Sequence, residues 1–544
     1  MPVNIPGVLS GLRAHLAFLP LTAEPGDVSV SSPLASIIIA LFSLLAVYLI
    51  TRYLKSPWRY LPPGPIGYPI VGSALSLLDK KRFFSMCESY VFVGDIAYVN
   101  LAGQPTIVLS TQQVVADLLD RRAGNFSGRP RLIFSHELLA GGMTFTTEGH
   151  TPRWRRMRRA VNEAFRPSAV GRYHTIEADK AAQLALALAD NPHDTVSGGY
   201  SHHYASYAAS VVLAITYDLP ILNTGKGGII DTVERIARDL ARASAPGTHL
   251  VDLFPRMLDI PDRYATWKLD AATWHRCTSE FLGGLVGEVK ERMEASGEAR
   301  PCLAQTLVEE ADRFGLSETE ISWAAGVMYI AGSETQAITL EWFTLAMVGH
   351  LDVQRRAQAE LDAVVGRARA PRVGDREQLP YVSVLVREVL RWRPPVPMGL
   401  PHKSEEDEWY RGFFIPKGTL CIINVPACHS DAEVYGEDAA EFNPARHLDE
   451  KGRLKPAPAD TKDEGHISYG SGRRICVGRH VANDALFAAV ATILWAFNLR
   501  AEGAFDMDGY VDRGITVSPI PFACKFEPRF AEALATLSEE VGSR

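Results

Sequence analysis

The sequence predicts a mainly α-helical body with a minor β portion, preceded by a single N-terminal transmembrane helix. Three observations carry this reading. From about residue 80 to 390, apolar positions recur at helical spacing with few alternating stretches. Short strand-like runs stand out near 97–109, 412–425 and 515–526, each bounded by turn residues. Residues 34–50 form an uncharged apolar run.

In chain order, residues 1–33 are expected as a non-cytosolic segment and 34–50 as the transmembrane anchor. The anchor run is about 25 Å long as a helix, and residues 28–33 extend it to a full span. Arg52, Lys55 and Arg59 follow it while Glu24 and Asp27 precede it, so the positive-inside bias places the rest of the chain in the cytosol. A cleaved secretory signal is disfavoured. The run starts some thirty residues in, lacks a strongly basic lead, and is followed by aromatic and basic residues instead of an Ala-x-Ala site. Residues 51–72 read as a basic, proline-rich hinge, because the prolines of Leu61-Pro-Pro-Gly-Pro-Ile-Gly-Tyr-Pro fix the backbone and remove amide donors. Residues 73–544 read as one catalytic body: no internal repeat is evident, and apolar patterning resumes directly after the loops at 366–374 and 451–465. Asn125-Phe-Ser fits the glycosylation pattern but, with this topology, stays unmodified.

With 56 basic and 63 acidic side chains, the net charge of -7 advertises no nucleic-acid surface. A composition 47% hydrophobic supports a large core, and 43 Gly and 34 Pro are too few for a fibrous or wholly disordered chain. Cysteines at 87, 277, 302, 421, 428, 476 and 524 make an odd set without a CxxC pair, so neither a disulfide framework nor a zinc site is expected. All but Cys476 read as interior thiols in a reducing compartment.

Cys476 differs by its surroundings. Tyr469-Gly-Ser-Gly-Arg-Arg-Ile-Cys-Val-Gly478 leads into an apolar helical run from Arg479, so the sulfur sits just ahead of a helix N-terminus. Arg473, Arg474 and the helix amides are expected to favour a thiolate, and the glycines let backbone approach a flat partner. A dinucleotide loop is excluded, since Ile475 stands where GxGxxG needs its third glycine and no βαβ unit precedes it. This loop resembles the heme-binding loop Phe-Gly-x-Gly-Arg-x-x-Cys-x-Gly of the cytochrome P-450 monooxygenases. It matches at every fixed position except the first, where Tyr469 keeps an aromatic wall and adds a hydroxyl near the sulfur. The resemblance covers nearly the whole chain and implies the cytochrome P-450 fold, heme b as cofactor, and Cys476 as the axial iron ligand.

Further motifs recur in the family's order. Glu-x-x-Arg spacing occurs at Glu163–Arg166, Glu310–Arg313, Glu388–Arg391, Glu408–Arg411 and Glu450–Arg453. The hydrophobic helix around Glu388 and the later Phe442-Asn-Pro-Ala-Arg446 single out Glu388, Arg391 and Arg446, which the resemblance implies as a buried structural network. His447 stands where an aromatic is usual. Trp154 and Arg158 lie one helical turn apart amid a basic stripe, and the pair resembles the family's clamp on a heme propionate. Arg474 and His402 fall where the family supplies further propionate partners.

Residues 321–348 are apolar around nearly the whole helical circumference, yet Ala331-Gly-Ser-Glu-Thr335 interrupts them. Gly332 would weaken the hydrogen-bond ladder, and Glu334 with Thr335 could hold a water and relay protons. A Thr335 bonding back to its own helix, with Glu334 paired elsewhere, is the competing expectation. By resemblance this is the oxygen-activating helix, with Glu334 in place of the commoner Asp and Gln336 in place of a second hydroxyl residue.

The resemblance thus implies a membrane-anchored monooxygenase of the microsomal class, similar to fungal enzymes of secondary metabolism. It would act on a lipophilic small molecule such as a terpenoid or aromatic polyketide. Oxygen would come from O₂, and electrons from NADPH through a separate cytochrome reductase on the endoplasmic reticulum membrane, since no flavin domain is evident in the sequence. A reductase-independent heme-thiolate isomerase and a non-catalytic heme-binding membrane protein are the alternatives. By analogy, 126–147, 219–254, 329–332, 396–400 and 518–522 should wall the substrate pocket.

Overall fold

The computed structural model describes residues 33–65, 67–68, 72–73, 94–190, 199–219, 228–245, 247–296 and 300–542. Residues 1–32 of the expected segment 1–33, and Cys87, lie outside them. The chain divides after Tyr60 into two compact units.

The first unit is a helix, α1 (Pro33–Lys55), closed by a 3₁₀ turn at Pro57–Tyr60. Every side chain from Ile37 to Ile50 is exposed, and Ile37–Lys55 has a mean hydropathy of 2.2, long and apolar enough to cross a membrane. The helix runs on to Lys55, so residues 51–55 of the expected hinge are helical. Arg52 and Lys55 occupy its last turn, where they complement the carbonyl end.

In the second unit the principal helices are α2 (Pro152–Phe165), α3 (His174–Asp190), α4 (Tyr200–Tyr217), α5 (Ile229–Ser244), α6 (Thr266–Ser296), α7 (Glu318–Gly349), α8 (Leu351–Val364), α9 (Pro380–Trp392) and α10 (Arg479–Ala496). The strands are β1 (Ile96–Leu101), β2 (Gln104–Leu109), β3 (His402–Lys403), β4 (Glu408–Tyr410), β5 (Phe413–Ile415), β6 (Leu420–Ile423), β7 (Phe497–Ala501), β8 (Tyr510–Asp512), β9 (Val517–Pro519) and β10 (Cys524–Pro528). β1, β2, β6 and β3 form the largest sheet, in that order, with β2 antiparallel to β1 and parallel to β6. The remaining strands form the two-stranded pairs β4–β5, β7–β10 and β8–β9. The proline segment lies against the sheet, since Tyr98 N donates to Pro63 O at 2.8 Å.

The three strand-like runs of the sequence each contain strands. β3, β4, β7 and β8 fall outside them, because a two- or three-residue edge strand carries too little alternation to be read, and β7 continues directly from the apolar pattern of α10. Ser317 starts α7 with a reciprocal cap: Glu320 N donates to its hydroxyl at 3.2 Å and Ser317 N donates to Glu320 Oε2 at 2.8 Å. Trp323, Trp342 and Phe343 of α7 are fully buried, and its long side packs along α4. The expectation that Gly332 weakens this helix is corrected: α7 is continuous from Glu318 to Gly349. What Gly332 provides is proximity, since a Cβ there would lie 3.0 Å from Val212 Cγ2 of α4.

One large apolar core joins α2, α3, α4, α7, α9 and α10, and a smaller one lies under β1, β2 and β6. Cys302, Cys421, Cys428 and Cys524 are interior thiols as expected, but Cys277 is exposed on α6. The Asn125 side chain has a structural use, its Oδ1 accepting from the amides of Glu405 and Glu406 at 2.8 Å each.

Candidate functional site

Cys476 stands two residues before Gly478, the N-cap of α10. The loop is folded tightly beneath it. Cys476 N donates to Tyr469 O at 2.8 Å, and Gly472–Arg474 makes a 3₁₀ turn entered through Gly472 at a φ of +63°. Facing the sulfur across a largely apolar cavity is the middle of α7, where Ala331, Gly332 and Thr335 line the wall.

The charges around the sulfur differ from expectation. Cys476 is open to the cavity, and desolvation by the surrounding protein raises its thiol against the Gly478 amide and the Arg158 and Arg479 guanidiniums. Arg473 and Arg474 are not its counter-charges. Arg473 is exposed, and Arg474 turns to donate to Ser127 O at 2.9 Å and Glu148 O at 2.8 Å. The thiolate therefore needs a further cation, and a coordinated metal deprotonates such a thiol outright. The Tyr469 hydroxyl is committed to Asn483 Oδ1 at 2.8 Å.

Cationic side chains gather on the cavity wall. Trp154, Arg158, Arg474 and His402 all line it, as does Arg129, which the sequence reading missed. Thr151 caps α2 and so sets the position of Trp154, and Arg474 stacks over that indole at 4.0 Å. Arg158 donates to Ile475 O, which ties α2 to the cysteine loop. Arg129 donates to Leu400 O at 2.6 Å and Pro401 O at 2.8 Å. Burial, followed by repulsion from Arg474 and Arg158, lowers Arg129 to about 9. Burial and repulsion from Arg158 lower Arg474 to about 10. These guanidiniums spend donors on backbone carbonyls and repel one another, which fits an anionic group such as the paired carboxylates of heme. His402 is different: burial, with Arg129 beside it, pushes it down to about 3, so it stays neutral with Nδ1 on Phe126 O at 2.8 Å.

On α7, Thr335 Oγ1 donates to Ala331 O at 3.1 Å, leaving its lone pairs for a donor in the cavity. Glu334 is not in the cavity lining; it accepts from Thr516 Oγ1 at 2.9 Å. In this conformation the two side chains adopt the competing arrangement set out above. Segments 126–147, 329–332 and 396–400 contribute to the lining, whereas the described residues of 219–254 and 518–522 do not. Phe522 packs on Tyr200 instead, and α5 rests on α6 through an Asp239–Trp274 hydrogen bond of 3.1 Å.

Behind the loop, Glu388 and Arg391 are 0% and 1% exposed and joined by paired bonds of 2.7 and 2.8 Å. Arg446 Nε adds a third bond at 3.0 Å and His447 a fourth at 2.9 Å, so the histidine that replaces an aromatic joins the network. The other Glu-x-x-Arg pairs are unlike this. Arg166 and Arg313 keep 51% and 60% of their side chains exposed, while Arg411 and Arg453 bond to Asp95 and Asp449. His429 connects the buried network to the cysteine loop: its Nδ1 donates to Arg391 O at 2.7 Å and its Nε2 accepts from Ile467 N at 3.0 Å.

Residues 62–524 match the family described as Cytochrome P450. A cytochrome P450 monooxygenase of Armillaria gallica is 46% identical over 508 residues, covering 91% of this chain and 95% of that protein. Cytochrome P450 monooxygenase 58 of Postia placenta is 40% identical, with 94% and 97% covered. Cytochrome P450 monooxygenase iboC of Amanita muscaria is 35% identical, with 88% and 93% covered. Enzymes of this family use heme held by a cysteine thiolate, O₂, a redox partner and a small-molecule substrate. The match over residues 62–524 and the likeness along nearly the whole length of these monooxygenases agree with the cysteine loop and its apolar cavity, and the chain belongs to the cytochrome P450 family of heme monooxygenases.

Proposed function

We propose that Cys476 ligates the heme iron, that Arg158, Arg474 and Arg129 hold the propionates with Trp154 as their platform, and that His402 adds a neutral contact. The single observation that carries this is the convergence of buried, mutually repelling guanidiniums on the cavity that Cys476 lines. Heme bound there supplies the oxygen-activating chemistry of the family. Thr335 is the proton-positioning residue, because its hydroxyl is oriented by Ala331 O and its lone pairs remain for a water or substrate donor. Glu334, held by Thr516, acts from outside the cavity by a change of rotamer.

The substrate is a lipophilic small molecule, a terpenoid or aromatic polyketide of secondary metabolism. Phe145, Phe165, Val212, Ile215, Leu400 and Ile423 support this preference, because they exclude water and offer no ion partner to a charged ligand. α1 serves as a single-pass anchor in the endoplasmic reticulum membrane with the body in the cytosol, and electrons arrive from NADPH through a membrane-bound cytochrome reductase. The test is co-expression with such a reductase, measuring NADPH consumed against oxygenated product. Thr335→Ala is expected to lower product per NADPH about tenfold while consumption continues, and Thr335→Ser to restore most of it. Unchanged coupling in Thr335→Ala would remove the proton-positioning role, and turnover without NADPH would overturn the monooxygenase route.

A further inference from the structure

The packing of α3 on α10 buries a carboxyl group left without a hydrogen bond. Glu177 is 0% exposed, and among the described residues neither of its oxygens has a hydrogen-bond partner. An unpaired carboxylate in such a place is costly unless something positive reaches it. Its neighbours are the ones a metal ion would use: ligand atoms of His174, Glu177 and Asp484 all lie within 4.8 Å of one another. His174 Nε2 is 3.3 Å from Asp484 Oδ2. Two ligands on a tetrahedral ion with bonds of roughly 2.1 Å stand about 3.4 Å apart, so this pair already has the required bite. Arg376 donates to the other Asp484 oxygen and to Asn483 O at 3.2 Å, which fixes the aspartate while leaving Oδ2 directed at the histidine. Half-exposed His174 gives an ion a route from solvent.

We propose that His174, Glu177 and Asp484 form a binding site for one zinc-like divalent cation, separate from the heme. The imidazole nitrogen selects a first-row transition ion over calcium or magnesium, which prefer all-oxygen shells. Burial and the adjacent Asp484 push the Glu177 carboxyl well above the usual carboxylate range, so the cation displaces a proton when it binds. Because α10 also follows Cys476, the ion would pin α3 to the helix that positions the sulfur.

The heme-loaded, chelator-treated full chain is titrated with zinc chloride, with bound zinc measured after equilibrium dialysis and the melting temperature recorded alongside. One zinc per chain is expected to bind saturably and raise the melting temperature, while magnesium does neither. His174→Ala and Glu177→Gln are each expected to weaken zinc binding by more than the roughly 10–100-fold loss that an outer-shell partner costs. Absence of saturable zinc, or equal affinity in both variants and the parent, overturns the site. So does a Glu177→Gln protein that melts higher than the parent while zinc shifts neither, since a proton alone would then satisfy the pocket. Should Glu177→Gln not fold, His174→Ala decides, because it removes a half-exposed side chain.

Discussion

An Arg391→Ala protein is expected to accumulate as unfolded, heme-free chain. Arg391 is the centre of a buried polar cluster: it bonds both Glu388 oxygens, and its remaining donors go to the carbonyls of His429, Ala439 and Glu441 at 2.6–2.8 Å. Deleting it strands those carbonyls and leaves Glu388 with fewer counter-charges in a site closed to water. Breaking one member of a buried ion pair costs about 3–5 kcal/mol, a large part of the roughly 5–15 kcal/mol by which a domain is stable. The damage also reaches the site, because the lost guanidinium also donates to His429 O at 2.8 Å, and His429 is the residue that takes the Ile467 amide of the cysteine loop. Denaturant melts and heme content of purified protein check this; a variant with parental midpoint and heme content would contradict the role given to the network. The same cluster sets an acid limit. Burial raises the Glu388 carboxyl, but bonds from Arg391 and His447 outweigh it and bring it down to about 2. A depressed carboxyl contributes stability that is complete above its unfolded value near 4.5 and lost as pH falls from there to about 2.

The second large effect is steric, and Gly472 and Gly470 separate it from backbone strain. Both adopt positive φ, +63° and +77°. A Cβ on Gly472 would lie 1.8 Å from Leu119 O, a backbone atom that cannot swing aside, whereas a Cβ on Gly470 meets nothing within 4 Å. Gly470→Ala should therefore cost only about 1 kcal/mol of left-handed strain and keep its heme. Gly472→Ala must push the cysteine loop away from residues 116–121, the helical segment that ends beside it, and should yield protein that binds little heme and loses at least about 3 kcal/mol. Heme content and melting of the pair provide the measurement, and equal behaviour would show that close approach is not what fixes this loop.

Much of the site was legible because it is local. The spacing of glycines, arginine and cysteine from Tyr469 to Gly478, the one-turn separation of Trp154 and Arg158, and Glu388 with Arg391 are all written within single elements. What escaped depends on contacts between distant segments. Arg129 is one arginine in a loop, and only the fold brings it to Leu400 and Arg474. His429 gains its meaning by bridging Arg391 and Ile467, each 38 residues away. The counter-charges of Cys476 escaped for the same reason: the two arginines adjacent in sequence point elsewhere in space, and Arg158 and Arg479 stand beside the sulfur instead. Among strands, β1, β2, β6 and most of β10 fell within the runs read from the sequence, while β7 was hidden by the apolar pattern of α10 and the short β3, β4 and β8 carried too little alternation.

The most direct test is the absorption spectrum of the heme-loaded protein, reduced and exposed to carbon monoxide, beside that of Cys476→Ser. The red-shifted Soret band of sulfur-ligated iron is predicted for the parent and its loss for the variant. A parent without that band, or a Cys476→Ser protein that keeps it, would contradict the assignment of Cys476 as the ligand.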